Sequence, residues 1–306
     1  MERLVNLGLI QMSCQEDIEA NFDKTILKIK EAAGKGAQIV CTQELFKSPY
    51  FCQVENPDYF DLAEIINEDS KTIQILGDLA SELKIVLIAS LFEKRAPGIC
   101  HNTTVVFDAD GSFLGKYRKM HIPDDPHYYE KFYFTPGDLG YKTFDTLFGR
   151  IGILICWDQW FPEAARLLGL QGVEIIFIPT AIGISRPAEG NTYDSAWKTV
   201  QQGHAVANAC FLVAVNRVGF ELDPSNSPDQ SNGVGPNGES GINFWGQSFV
   251  ADTDGVIIKE ASKDQEEILI CPIDLAEVEE TKCLSSFPYR DRRVDSYQDL
   301  LKLYSD

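Results

Sequence analysis

The sequence predicts an α/β protein with a single domain spanning residues 1–306, and three observations carry this prediction. Short apolar runs rich in β-branched residues alternate with amphipathic segments over residues 4–90, in the β-α-β-α-β order of a sheet covered by helices. Two Asp-Gly turns between apolar runs indicate hairpins further along the chain. No linker-like composition divides the chain in two, so one large core is expected.

The elements of the first half follow from hydrophobic period and from turn residues. The predicted strands are residues 4–12, 38–42, 85–90, 103–107 and 113–117, and the predicted helices are residues 17–33 and 62–83. Residues 118–140 carry prolines, glycines and aromatic residues without any period. A long segment of this kind is predicted to be an ordered loop with a function.

The second half continues the same alternation. Its predicted strands are residues 151–155, 174–178, 211–216, 248–252, 256–260 and 267–273, and its predicted helices begin at Pro162 and cover residues 193–208 and 275–283. Residues 224–241 are rich in Pro, Gly, Ser and Asn and predict a surface loop. The core is expected to span about residues 4–275. The charged and aromatic tail, about residues 284–306, is expected to pack on a neighbouring subunit or as a terminal helix on its own core.

Charge and cysteine usage limit the classes of partner. With 27 Lys and Arg against 46 Asp and Glu, the net charge of -19 argues against nucleic acid and anionic membranes. It suits a cationic small molecule, although acidity can also serve solubility alone. The eight cysteines form no metal-ligand or disulfide pattern, and no apolar run approaches the ~18 residues of a membrane span. A reducing, cytoplasmic location is expected.

Cys156 is the first candidate for chemistry. It follows the buried strand predicted at residues 151–155, and Pro162 suits the first turn of the next helix. The carboxyl ends of strands are where α/β proteins place their reactive groups. Cysteine is also among the most buried residue types, so position alone leaves both a nucleophile and an inert packed thiol open.

Five separated segments carry a resemblance to a known family. They are QELFKSPYFCQ around Glu44, YRKMHIPDD around Lys119, YYEKFYFTPGD around Glu130, LICWDQWFPEAAR around Cys156 and RDRR in the tail. Together, from about residue 4 to Arg293, the chain resembles the nitrilase (carbon-nitrogen hydrolase) superfamily and its N-carbamoylputrescine amidase branch. The resemblance implies a four-layer α-β-β-α sandwich, a Glu-Lys-Cys triad and a homodimer or larger homo-oligomer. No metal or organic cofactor is indicated.

The triad implied by this resemblance is chemically coherent. A thiol acts as a nucleophile only when it is ionised, so Cys156 needs a base or a nearby positive charge. Glu44 is expected to act as the base, and Lys119 with the backbone N–H of Trp157 to stabilise the oxyanion. Glu130 matches an additional family glutamate that orients the lysine or the substrate nitrogen; otherwise it is a loop carboxylate paired with Lys131. His121 is the competing base, because Cys-His pairs are common.

The implied reaction is hydrolysis of a non-peptide C–N bond, specifically of N-carbamoylputrescine to putrescine, carbon dioxide and ammonia. An alkyl chain ending in an ammonium needs an aromatic trough and a distal carboxylate. The candidates for the trough are Tyr129, Trp157, Trp160 and Tyr193, and those for the carboxylate are Glu189 and Asp194. Each aromatic residue can equally be core packing.

Two alternatives stay open at this point. Arg186 lies in the same loop as Glu189 and could pair with a carboxylate, which would favour N-carbamoyl-β-alanine or another N-carbamoyl amino acid as substrate. A catalytically silent binding or assembly protein is the alternative from another class. Such a protein is expected to have lost a triad member, and none is lost here.

Overall fold

Two six-stranded sheets form the centre of the molecule in the computed structural model, which describes residues 2–185, 193–225, 234–284 and 289–304. The first sheet contains, in spatial order, Glu267–Asp274 (β15), Leu4–Gln11 (β1), Ile39–Thr42 (β2), Val86–Ala96 (β3), Ile99–Phe107 (β4) and Phe113–Arg118 (β5). The second contains Ile257–Glu260 (β14), Phe249–Ala251 (β13), Phe211–Asn216 (β10), Ile175–Thr180 (β8), Gly149–Ile153 (β7) and Thr143–Thr146 (β6). In each sheet parallel central strands are extended by antiparallel hairpins.

Six α-helices accompany the sheets over the described residues. They are Ile18–Gly34 (α1), Lys71–Leu83 (α2), Glu130–Tyr133 (α3), Pro162–Leu170 (α4), Tyr193–Asn208 (α5) and Ala276–Leu284 (α6). α1 and α2 cover the first sheet, and α4 and α5 cover the second. A small third sheet of Val218–Leu222 (β11), Gly241–Trp245 (β12) and Gly183–Ile184 (β9) lies at one end.

The two sheets pack face to face, and the period of two in the strands explains how. Leu7 and Leu9 of β1 belong to the core between the sheets, whereas Ile10 belongs to the core beneath α1 and α2. Both faces of each central strand are therefore apolar, as expected for a sheet buried on both sides. The result is the predicted α-β-β-α sandwich.

Several predicted boundaries were wrong for local reasons. The helix predicted at residues 62–83 begins only at Lys71, because Asn67 and Ser70 form side-chain turns that compete with the helix. The strand predicted at 85–90 continues to Ala96, since β4 pairs along its full length. β11, β12 and β9 were not predicted at all, because each pairs only with segments distant in sequence.

The C-terminal tail does not form the helix on its own core that was one of two expectations. Residues 289–304 contain the short 3-10 helices Val294–Ser296 and Gln298–Leu301. Tyr289 anchors the start, since its hydroxyl donates to the Asn208 carbonyl at 2.8 Å. Further along, Leu301 is 93% exposed. None of the described helices has the length and apolarity that crossing a membrane requires.

Candidate active site

Cys156 lines a pocket of about 360 Å³ and begins the 3-10 helix Cys156–Trp160, three residues after β7 ends. Its backbone is left-handed, with φ 41°. This conformation is costly for a residue with a Cβ and persists where the surroundings impose it. Asp158 does so here, because its Oδ2 accepts from the Ile155 backbone N–H at 2.9 Å and from the Tyr117 hydroxyl at 2.8 Å. The turn that presents the thiol is therefore held by a buried carboxylate.

Lys119, Glu44 and Glu130 form a fully buried cluster. The ammonium of Lys119 donates to Glu44 Oε1 at 2.8 Å and to both carboxylate oxygens of Glu130 at 2.9 and 2.7 Å. Asn102 Nδ2 also donates to Glu44 Oε1 at 2.7 Å. The other oxygen, Glu44 Oε2, is buried and has no hydrogen-bond partner among the described residues. A carboxylate with one oxygen held and the other open is suited to accept a proton.

The charges of this cluster act on the thiol. Burial raises the pKa of Cys156 well above its usual range, the charge of Glu44 raises it further, and Lys119 acts in the opposite direction. Burial tends to lower the pKa of Lys119, but the charges of Glu130, Glu44 and Cys156 outweigh it and raise that pKa well above the usual value. Burial therefore favours the neutral thiol of Cys156, whereas the neighbouring carboxylates favour the charged form of Lys119. Attack by the sulfur needs a base, which the open oxygen of Glu44 can be.

We expect Glu130 to make the stability of the protein depend on pH. Burial raises the pKa of Glu130 from 4.5 to about 7, although Lys119 opposes this. When folding raises the pKa of a carboxyl, the protonated group stabilises the folded state. This contribution to the free energy of unfolding is complete below pH 4.5 and is lost as the pH rises through about 7. We expect the free energy of unfolding of Glu130→Gln to lack this decline, about 3 kcal/mol in size, in urea titrations at several pH values. The control variant Glu68→Gln changes a surface residue and should show the same decline in stability as the wild-type protein. If Glu130→Gln shows this decline unchanged, Glu130 is not its cause.

Arg217 holds the segment that carries Glu44. Its guanidinium is fully buried and donates to the backbone carbonyls of Glu44, Leu45 and Ser48 at 3.1, 2.9 and 2.9 Å. Its charge is balanced by Glu221, whose Oε1 accepts from Arg217 at 2.6 Å. Three carbonyls directed at one cation fix the path of the chain after β2 and hence the position of the Glu44 side chain.

The walls of the pocket are aromatic and its mouth is acidic. Trp157, Tyr193, Tyr128 and Trp245 line it together with Cys156 and Glu130. Asp125 lines it too and is exposed to solvent. Burial raises the pKa of Tyr193, and the next largest influences are the charges of Asp125 and Cys156, so this ring lies within reach of both. The described lining residues include no Lys, Arg or His.

The other residues proposed from sequence lie elsewhere. The Trp160 ring packs against the rings of Trp157 and Tyr193, with ring centroids 6.3 and 5.4 Å apart. Trp160 is not among the described residues that line the pocket. The Tyr129 backbone N–H donates to the Cys52 carbonyl at 2.8 Å. Asp194 is 3.8 Å from Lys263 and is not part of the described lining. Glu189 and Arg186 lie outside the described residues.

His121, the competing base, is engaged away from the thiol. Its Nδ1 lies 2.7 Å from Asp158 Oδ1, and its ring stacks on Phe161 with centroids 3.7 Å apart. The same Asp158 oxygen accepts from the His121 backbone N–H at 3.0 Å. These contacts give His121 a place in the support of the Cys156 turn. Within the described ranges, no three His, Cys, Asp or Glu side chains are grouped so as to hold a metal ion.

Sequence reasoning missed the groups that act through tertiary contacts. They are Asn102 and Arg217, which hold Glu44; Tyr50, whose hydroxyl donates to Glu130 Oε1 at 2.7 Å; Asp158, which holds the Cys156 turn; and Asp125. Three of these residues had a signal: Asp125 lies in the aperiodic loop predicted to be functional, and Tyr50 and Asp158 lie in the motifs around Glu44 and Cys156.

Comparison with known proteins shows the family of the chain. A family model described as carbon-nitrogen hydrolase matches residues 6–283. The N-carbamoylputrescine amidase of Arabidopsis thaliana is 44% identical over 98% of this chain and 96% of that protein, and the citrullinase of Francisella tularensis is 40% identical over 98% and 99%. The crystal structure of a carbon-nitrogen hydrolase from Helicobacter pylori superposes with a TM-score of 0.90, at 45% identity over 99% of this chain and 100% of that one. With this fold and this match along nearly its whole length, the chain belongs to the carbon-nitrogen hydrolase family of the nitrilase superfamily.

Proposed function

We propose that the protein hydrolyses N-carbamoylputrescine, with water, to putrescine, carbon dioxide and ammonia. The observation that carries the proposal is the buried Lys119, Glu44 and Glu130 cluster next to Cys156, in a pocket with aromatic walls and an acidic mouth. Relatives named N-carbamoylputrescine amidase, 42–45% identical over 98% of the chain, support the choice of substrate.

The first half-reaction forms an acyl-enzyme. Glu44 Oε2 takes the thiol proton as Cys156 Sγ attacks the carbonyl carbon of the ureido group. The oxygen that becomes negative accepts from the Lys119 ammonium and from the Trp157 backbone N–H, which lies in a first helical turn without an acceptor inside the helix. The C–N bond then breaks, and Glu44 gives its proton to the departing nitrogen.

The second half-reaction returns the enzyme to its starting state. Glu44 takes a proton from water as the water oxygen attacks the acyl carbon, and the proton passes to Cys156 Sγ as the C–S bond breaks, which releases a carbamic acid. The remaining C–N bond of the carbamic acid then breaks, with transfer of its hydroxyl proton to nitrogen, to give carbon dioxide and the second amine. Glu130 positions the Lys119 ammonium through contacts to both of its carboxylate oxygens. Because an ammonium has three donors and Glu44 also accepts from it, one of these hydrogen bonds is exchanged when Lys119 donates to the reacting oxygen. Neither half-reaction changes the oxidation state of any atom.

Asp125 is proposed as the carboxylate that receives the distal ammonium, with Trp157 and Tyr193 as walls for the alkyl chain. The described residues that line the pocket include two carboxylates, Asp125 and Glu130. Asp125 is exposed to solvent, whereas Glu130 is buried and accepts hydrogen bonds from Lys119. An ammonium between a carboxylate and aromatic faces is favoured by charge and by the ring quadrupoles.

Asp125→Asn tests this assignment. We expect KM for N-carbamoylputrescine to rise about tenfold with little change in kcat, because about 1.4 kcal/mol of charge attraction is lost in binding and not in the chemical step. N-butylurea, which has the same ureido group and no ammonium, should be hydrolysed equally by both proteins. Asp124→Asn removes a charge from an exposed neighbour outside the described lining and is the control. An unchanged KM in Asp125→Asn would reject the role.

A second candidate substrate is citrulline, which the similarity to a citrullinase favours. Citrulline is N-carbamoylputrescine with one additional carboxylate, so an amino acid substrate would need a cation that the described lining lacks. Ammonia release from N-carbamoylputrescine, citrulline and N-carbamoyl-β-alanine, measured in parallel, separates the substrates. Preference for either amino acid would reject the diamine, and release from none would favour a catalytically silent binding protein.

We also propose that the protein acts as a homodimer or larger homo-oligomer in the cytoplasm, without nucleic-acid or membrane partners. The tail supports assembly, because Leu300, Leu301 and Leu303 are exposed and an apolar segment of this kind is stable when a second copy covers it. The cysteines, all free, support a reducing compartment. Light scattering of the chain ending at residue 293 should show smaller particles than the full chain, and cell fractionation tests the location.

A further inference from the structure

A second cavity, of about 430 Å³, is lined in part by residues 48–53, which follow Glu44 in the chain. Its walls come from residues 14–18, 48–53, 59–62 and 220–224, and it shares no lining residue with the pocket of Cys156. Nothing in the proposed reaction uses it. A cavity of this volume is within the range that binds small molecules.

The chemistry of this second cavity is aromatic and acidic. Tyr50, Phe51, Tyr59 and Phe220 supply ring surface, and Glu16 stands exposed at the rim. Burial raises the pKa of Tyr59, and the charges of Glu16, Asp223 and Asp58 raise it further, so several negative charges face this ring. No Lys, Arg or His occurs among the described lining residues. Aromatic faces beside carboxylates are the environment that stabilises an ammonium ion.

Gln53 gives an independent indication of a hydrogen-bond donor. It lines the cavity and is only 2% exposed. Its Nε2 donates to the backbone carbonyls of Leu222 and Glu221 at 3.2 and 3.4 Å, which fixes the amide orientation. Its Oε1 then has no hydrogen-bond partner among the described residues. A buried acceptor left unpaired destabilises the protein, and a ligand that donates a hydrogen bond to it removes this cost.

Tyr50 connects the second cavity to the catalytic cluster. Its backbone N–H donates to Glu221 Oε2 at 2.5 Å in the cavity wall, while its hydroxyl donates to Glu130 Oε1 at 2.7 Å in the active site. Glu221 also pairs with Arg217, which holds the backbone of Glu44. A ligand that moves residues 48–53 therefore acts on both carboxylates that contact Lys119.

We propose that this cavity is a second binding site, for a primary alkylammonium ion, and that its occupancy changes turnover through Tyr50. The ligand belongs to the chemical class of the amine that the proposed reaction releases, and to that extent the proposal rests on the proposed function. An ammonium ion has three N–H donors, which can serve the unpaired oxygen of Gln53 and the carboxylate of Glu16. The alkyl chain then packs on the rings.

Calorimetric titration of Cys156→Ala protein with putrescine tests the site without any turnover. We expect two binding events per chain and none with 1,4-butanediol, which has the same length and no charge. Glu16→Gln should weaken one event at least fivefold, and Gln53→Leu should remove the same event. Glu19→Gln, an equal loss of charge on α1 outside the described lining, should change neither. A single event, or two events that survive both Glu16→Gln and Gln53→Leu, would overturn the proposal.

Inhibition kinetics of the enzyme with Cys156 intact test the coupling. Putrescine should inhibit the wild-type enzyme in a mixed manner and Gln53→Leu in a purely competitive manner, because only the active-site event remains in that variant. Competitive inhibition of both proteins would overturn the coupling. Because binding is measured in Cys156→Ala, two events in a protein that fails to hydrolyse N-carbamoylputrescine would reject the proposed function and leave the second site standing.

Discussion

Replacing Cys156 with alanine is expected to lower kcat for N-carbamoylputrescine by ~10⁵-fold or more while leaving the fold intact. The sulfur is the only protein atom in the proposed mechanism that forms a bond to carbon, so no neighbouring side chain replaces it. Alanine fits the space of the thiol, and the turn itself is held by Asp158 rather than by the sulfur. Ammonia release and thermal unfolding, measured on the same preparation, give the two quantities.

Cys271→Ala is the matched control, since Cys271 is 3% exposed against 5% for Cys156 and lies on β15, outside the described lining. It should retain full activity. Mass spectrometry of the wild-type enzyme, quenched during turnover, should show an adduct on Cys156 that is absent from the alanine variant. An adduct with the mass of the carbamoyl group means that the diamine leaves first, and a larger one means that ammonia does. Turnover at the wild-type rate in Cys156→Ala would place the nucleophile elsewhere.

Replacing Lys119 with methionine is expected to lower kcat by ~10²–10³-fold and to destabilise the protein by about 3–5 kcal/mol. The first effect is the loss of a donor to the oxyanion. The second arises because Glu44 and Glu130 would remain buried without the cation that both contact. Methionine keeps most of the side-chain volume, so packing changes little.

The double variant Lys119→Met/Glu130→Gln separates the two effects. Removing one buried carboxylate should restore much of the stability, measured by urea unfolding, while kcat stays low because the donor is still missing. Lys116→Met is the matched control: Lys116 pairs with Glu93 at 2.6 Å and lies outside the described pocket lining, so kcat should change less than twofold. Recovery of kcat in the double variant would mean that Lys119 acts only in stability.

Local pattern predicted much of the fold. The helix Tyr193–Asn208 and the strand Phe211–Asn216 have the predicted bounds, because hydrophobic period and end signals are properties of neighbouring residues. The start of α2 was wrong, because the turn at Asn67 and Ser70 depends on side-chain hydrogen bonds that the apolar period does not reveal. The third sheet depends on pairing between distant segments, such as β12 with β9.

By itself the sequence determined the residue types that the chemistry needs and the order in which they occur: Glu44, Lys119, Glu130 and Cys156, each in its motif. Only the tertiary structure decided how they meet. It brings Glu44 to Lys119 across 75 positions, leaves one oxygen of Glu44 open, and raises the pKa of the Cys156 thiol by burial, so that a base is required. These properties depend on burial and on contacts between segments far apart in the chain, which no local pattern encodes. The roles of the four residues stay predictions, for the variants above to test.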